Sequence, residues 1–177
     1  MSVLTKEALY TQHGPVNMVL FENVTNASEI KSLVSEGDFQ LGCCFVDARM
    51  ILSTFQILVA ANRALYMDSL GKLKTRNLLL ETIFSLSPNM NIAQTLERFG
   101  VKEDSTTLVG IKIGNATEAE LLQEFQSVVK GDVGKLEDIG KVADMELLQK
   151  MYKFNPTQSS FDDIHNFVIS SMALKGL

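Results

Sequence analysis

The sequence predicts an α+β protein, a small, mainly antiparallel sheet packed against about six helices in one domain over residues 1–177. Three observations lead there. The chain has 177 residues, 46% of them hydrophobic and only three proline, so one compact fold could bury roughly 70% of the unfolded surface without a metal or disulfide. Short β-branched runs bounded by Gly and Asn are few, whereas stretches with apolar residues three and four apart recur along the whole length. No composition break and no internal repeat marks a linker or a second unit.

Each element has its own signal. Pro15 to Phe21, between Gly14 and Asn23, reads as a buried strand. Asn26 then caps a helix through Ile30, Leu33 and Val34, which Gly37 stops. Phe39 to Val46 is a candidate second strand, after which Met50-Ile51-Leu52 resumes the apolar pattern. The strongest helical signal opens at Ser53 or Thr54 and runs to Leu70, with Ile57, Ala61, Ala64 and Leu65 on one face, Asn62 and Arg63 beside it, and Gly71 as the stop. Two further helices follow: Asn77 to Leu86, ended by Pro88, and Asn91 to Gly100, where Gln94 completes a capping-box pattern. Thr106 to Ile113 is a strand by its β-branched content, and Gly114-Asn115 is a turn. Thr117 with Glu120 opens a helix through Leu121, Phe125 and Val129, which Gly131 to Gly134 terminates. Asp144 to Tyr152 is helical, and after Pro156 a last helix opens near Ser160 with Phe161, Ile164, Phe167, Val168 and Ser171 inward.

Composition and motifs exclude several kinds of chemistry. A formal charge of −5 disfavours indiscriminate binding to anionic polymers or membranes. No uncharged apolar run approaches the roughly 18 residues a membrane span needs, and the polar start of the chain does not read as a signal peptide. Cys43 and Cys44 are adjacent, which fits a reducing compartment better than a disulfide framework or a zinc site; on a strand they face opposite sides, so at most one is expected to be buried. The two histidines, His13 and His165, lack metal-ligand spacing and read as surface or packing residues. There is no nucleophile elbow, phosphate loop or dinucleotide fingerprint. Gly131-Asp132-Val133-Gly134 has the spacing of a KH-domain loop, but its aspartate would repel phosphate. No cofactor and no metal is expected.

Charge is nonetheless segregated. Between Asn62 and Leu80, Arg63, Lys72, Lys74 and Arg76 stand against Asp68 alone, a charge of +3 that leaves −8 on the remainder of the chain. Such a cluster suits a phosphate-bearing end or an acidic partner face, since a local cationic site acts at short range even on an acidic protein. A solvated loop between helices has the same composition.

Four pieces in this region occur in a specific order: Phe55 to Ala64 with Ala60-Ala61-Asn62, Leu70 to Arg76 with Lys74-Thr75-Arg76, Glu81 to Ile92 with Leu86-Ser87-Pro88-Asn89, and Phe99-Gly100-Val101. In order and spacing they resemble the kinase-binding subunit of the KEOPS complex, called EKC in eukaryotes (the TPRKB family). The resemblance is dense over about residues 53–113; Val16 to Phe21 fits the family's opening strand and Lys150 to Phe154 a late segment. It implies a subunit that is not an enzyme. Such a subunit binds the N-terminal lobe of an atypical small kinase or ATPase, promotes its activity, and meets the transferase subunit only through the complex. The assembly attaches threonylcarbamoyl to an adenosine beside the tRNA anticodon, and archaeal members also hold the single-stranded CCA end of tRNA. Localisation in cytoplasm and nucleus is expected on the same ground.

Candidate residues follow for two surfaces. A single-stranded RNA end is gripped by cations on phosphate, polar groups on base edges and apolar platforms under bases. Arg63, Lys74 and Arg76 would neutralise phosphate, and Asn62 and Asn89 could read an edge; Ile83 or Phe84 could form a floor, or simply be core. The sequence departs from archaeal relatives at Met90, where a basic residue can stand, so fewer cations would face the RNA. For the kinase, the apolar stripe Phe161, Ile164, Phe167 and Val168, extended by Met172 and Leu174, is the candidate interface. Two other readings compete with an interaction subunit: a small-ligand enzyme using Glu81 as acid or base beside the basic loop, and a stand-alone RNA-binding module.

Overall fold

Strand β2 (Val16–Glu22) is the spine of an antiparallel sheet. The computed structural model describes residues 3–35, 42–155, 157 and 160–176. Gly37, residues 39–41 of the expected second strand and Pro156 lie outside the described residues. Along β2 run β1 (Val3–Lys6), with Val3 opposite Val19, and β4 (Leu108–Ile113), with Val16 opposite Ile113. β3 (Cys43–Asp47) lies outside β4, Val46 facing Val109, and the two-residue β5 (Asp132–Val133) extends the β1 edge beside Phe21 and Glu22. The helices are α1 (Ala27–Ser35), α2 (Thr54–Ser69), α3 (Leu78–Leu86), α4 (Ile92–Phe99), α5 (Glu118–Gln126), α6 (Met145–Tyr152) and α7 (Phe161–Ala173). The class is α+β.

Helices cover both faces of the sheet. With side chains alternating along β2, Val16, Met18 and Leu20 point to the layer of α2, α3, α6 and α7, while Val19 and Phe21 point to α1 and α5. This corrects the expectation for the cysteines: Cys43 and Cys44 do face opposite sides, but both are buried, because neither side of β3 meets solvent. Burial pushes the Cys43 thiol up to about 12, with the Glu124 carboxylate adding to the shift, and raises Cys44 as well. Neither thiol is poised to react.

Local capping explains where most helices start. Ser53 accepts from the Gln56 amide, Asn77 from Leu80 and Asn91 from Gln94, and Asp144 accepts from Glu146 and Leu147. Thr117 and Glu120 form a full capping box, as do Ser160 and Asp163, a pair that the sequence reading missed. Two expected caps differ. Gln94 leaves its box half-made, since its Oε1 accepts from Asn89 Nδ2 at 2.6 Å. Asn26 ties its side chain to the loop after α5, accepting from the Lys130 amide at 2.9 Å and donating to the Val128 carbonyl at 2.8 Å.

The segment Gly131 to Gly134 also differs from its expected role. α5 has already ended at Gln126, and the glycines instead let the chain run hard against β2: a Cβ on Gly131 would lie 2.8 Å from the Glu22 carbonyl oxygen. Gly110 in β4 makes a comparable allowance. A Cβ there would stand 2.6 Å from the Phe125 ring, which packs edge-on between Phe21 and Phe45. Gly110→Ala should therefore cost about 1–3 kcal/mol by overpacking, read as a lower urea midpoint; an unchanged midpoint would show that the ring moves aside freely.

Candidate functional site

The basic loop is shaped by one buried carboxylate. α2 ends at Ser69 with Leu70 as its C-cap, and Gly71 takes a φ of +65° that reverses the chain. Residues 72–77 then fold back over the first turn of α3, where Glu81 is 2% exposed. Its Oε2 accepts from the Lys74 amide at 2.9 Å, the Thr75 amide at 2.9 Å and the Thr75 hydroxyl at 2.8 Å. With the backbone pinned inward, the side chains of Lys72, Lys74 and Arg76 are exposed. Neither Lys74 nor Arg76 has a side-chain hydrogen bond or ion pair among the described residues. Glu81, the candidate acid or base, is thus an enclosed acceptor engaged by three donors.

Lys74 and Arg76 line an open groove of about 1380 Å³ with an apolar floor of Leu80, Ile83, Ile92 and Leu96, and the carboxylates Glu97, Glu103 and Asp104 line it as well. Ile83 is thus both core and floor, whereas Phe84 faces elsewhere, under Lys175. Two more cations line the groove but are paired, Lys31 with Glu103 at 3.1 Å and Lys102 with Asp47 at 3.6 Å. Asp47 anchors that side. It is fully buried, accepts from the Arg49 guanidinium and backbone and from the Ser105 hydroxyl at 2.7 Å, and Arg49 reaches on to Asp104. Burial by itself would raise the Asp47 carboxyl, but these hydrogen bonds and nearby Lys102 hold it below the usual carboxylate range.

Three of the five residues expected at an RNA end are not at this groove. The Arg63 guanidinium donates to the Met172, Ala173 and Lys175 carbonyls at 3.4, 3.2 and 2.5 Å, capping the negative end of the α7 dipole. Asn62 accepts from the Leu9 amide at 2.6 Å and donates to the Leu58 carbonyl, fastening the β1–β2 loop to α2. Asn89 is engaged in its own turn, with Asn91 and Gln94. Only Lys74 and Arg76 are brought together, and no local signal could reveal that Arg63, 110 residues from Ala173, serves a different helix.

α7 divides its apolar residues. Ile164, Val168 and Met172, four apart, are core, whereas Phe161 is 50% and Phe167 45% exposed. The expectation that Phe161 and Phe167 point inward is corrected: a helix lying on a layer buries one stripe, and Phe167 sits about 100° around the axis from Val168. Leu174, seven residues on and 62% exposed, shares the flank of Phe167. Phe161 belongs to another cluster, stacked on His165, whose Nε2 lies 2.7 Å from Ser53 Oγ and whose ring also neighbours Phe55. His13 pairs with Asp68 at 2.7 Å. No group of three or more His, Cys, Asp or Glu able to hold a metal ion occurs among the described residues, and no helix among them is long and apolar enough to cross a membrane.

The last turn of the chain holds a buried cation. Lys175 is 4% exposed; its ammonium donates to the Phe84 carbonyl and lies 3.2 Å from the centre of the Phe84 ring. Burial, followed by the nearby Arg63 charge, lowers its pKa to about 7, against the opposing pull of Glu81.

These features define a class of protein: an α+β fold with two large apolar side chains exposed on one helix flank and a groove lined by both cations and carboxylates. The chain belongs to the family described as kinase binding protein CGI-121, which matches residues 21–176. It is similar to the zebrafish (Danio rerio) EKC/KEOPS complex subunit TPRKB, with 30% identity over 172 residues and 97% of each chain covered. It is likewise similar to the EKC/KEOPS complex subunits CGI121 of Candida glabrata, 32% identical with 92% of this chain and 93% of the relative covered, and cgi121 of Schizosaccharomyces pombe, 31% identical with 91% and 93% covered.

Proposed function

We propose that this protein is the kinase-binding subunit of an EKC/KEOPS assembly that modifies tRNA. It docks on the atypical kinase or ATPase subunit through the flank of α7, promotes that subunit's activity without catalysing a reaction itself, and meets the transferase through the complex. The observation that carries the reading is membership of the kinase-binding family together with Phe167 and Leu174, two large apolar side chains left in solvent on one flank of a helix whose other side is core. Cytoplasm and nucleus, where tRNA is made and used, are the proposed locations. Mixing the purified chain with its kinase on a sizing column tests the first part: co-elution at micromolar concentration is expected, and separate peaks would refute it. A turnover screen of the isolated chain should find none.

The second role is contact with the CCA end of tRNA at the groove, with Lys74 and Arg76 on phosphate and the apolar floor beneath a base. Because both cations lack an internal partner, they are free to neutralise phosphate at no cost to the fold. Charge reversal by Lys74→Glu with Arg76→Glu should weaken tRNA binding by the reconstituted complex, more at low salt than at high, and flatten the logarithmic salt dependence by about one to two phosphate contacts. An unchanged salt slope would remove both residues from the RNA surface.

A further inference from the structure

The last turn of the chain and the basic loop are joined through one helix. On α3, Glu81 and Phe84 are three residues apart and so lie on neighbouring positions of one face. Glu81 orders the backbone of Lys74 and Thr75, and Phe84 receives the ammonium of Lys175 on its carbonyl and its ring. Arg63 fixes the turn that carries Lys175 by holding the carbonyls of Met172, Ala173 and Lys175. Two ionisable groups, Glu81 at 2% and Lys175 at 4% exposure, are thus enclosed beside the same helix although they are 94 positions apart in sequence. Neither is needed to fill space, for which an apolar residue would serve better.

We propose that Lys175 is a positioning residue for the basic loop, holding α3 so that the Glu81 carboxylate keeps Lys74 and Thr75 in place. Lys175 contacts α3 at Phe84, three residues from Glu81, and Arg63 holds the turn that carries Lys175. Loss of the ammonium removes the donor on the Phe84 carbonyl and the cation on its ring, so α3 is held less firmly, the grip of Glu81 on the loop loosens, and order at the end of α7 is transmitted to the groove edge. The use of this coupling rests on the reading of Lys74 and Arg76 as an RNA surface; its geometry does not.

Residue-resolved amide hydrogen exchange on the full chain tests it. Lys175→Met keeps the length of the side chain and removes its charge; it should speed exchange at the Lys74 and Thr75 amides about tenfold, while Val109 and Ile111 in β4 stay within about twofold of the parent. Glu81→Gln should speed the same two amides. The proposal is overturned if Lys175→Met leaves them at the parental rate, if β4 accelerates equally, which would mean a purely global contribution, or if Glu81→Gln has no effect there. Should Lys175→Met fail to fold, Lys175→Leu, which also gives up both contacts with Phe84, is read by the same criteria. Neither RNA nor kinase is present in the experiment, so its failure and that of the proposed binding roles are distinguishable.

Discussion

Phe167→Lys combined with Leu174→Lys should lower affinity for the kinase subunit at least about 100-fold, as expected when two buried apolar anchors of an interface are replaced by charges. The melting temperature should stay within about 2 °C of the parent, because substitutions at exposed positions away from special features change stability by about 0.5 kcal/mol or less. Both side chains are exposed in the free chain, and lysines near the end of a helix suit its dipole. Titration calorimetry or surface plasmon resonance against the purified kinase reads the first quantity, and circular dichroism the second. Ile164→Ala supplies the contrast. That residue is 4% exposed, so its truncation should cost about 2–4 kcal/mol of stability and reach the kinase only through the fold. Unaltered affinity in the double variant would move the interface off this flank of α7 while leaving kinase binding intact.

A large stability effect is also expected at Asp47. Asp47→Ala removes the acceptor for the Arg49 guanidinium, the Arg49 amide and the Ser105 hydroxyl in a fully buried place, and should cost about 3 kcal/mol. Arg49 keeps Asp104 and is partly exposed, which holds the loss below that of a wholly buried pair broken on one side. The pH dependence has a definite sign. The folded carboxyl titrates below its unfolded value, so its contribution is present above about pH 4 and is lost as the pH falls through the lowered folded value. In Asp47→Asn the acid limb of the stability curve should be flatter than in the parent, as measured by urea denaturation between about pH 2 and pH 5. Parallel curves would show that Asp47 titrates alike in the folded and unfolded chains.

Residues on the groove and residues that hold it respond differently to substitution. Lys74 and Arg76 have solvent on their side chains, so reversal there touches ligand affinity, while Glu81, which holds the Lys74 and Thr75 amides, and Asp47, which holds Arg49 and Ser105, are enclosed. The expected partition is therefore salt-dependent binding loss for the first pair and stability loss for the second.

The sequence by itself determined most of the helices and most of their starts. Ser53, Asn77, Asn91, Thr117 with Glu120, and Asp144 all cap as their local patterns require, because a cap joins residues only two or three apart and needs nothing from the rest of the fold. The strand Val16 to Phe21 and the strand ending at Ile113 were legible for the same reason, and so was the basic cluster as a cluster. Tertiary structure alone decided what those residues face. Covering both faces of the sheet buried Cys43 and Cys44 together, and bringing α7 across α2 turned Arg63 from a candidate RNA contact into the cap of another helix. It likewise set Gln56 against the Tyr152 hydroxyl, and Lys175 on Phe84. These partners are separated by 91 to 110 positions, and a periodicity of two or 3.6 residues carries no information about what lies across a packed layer.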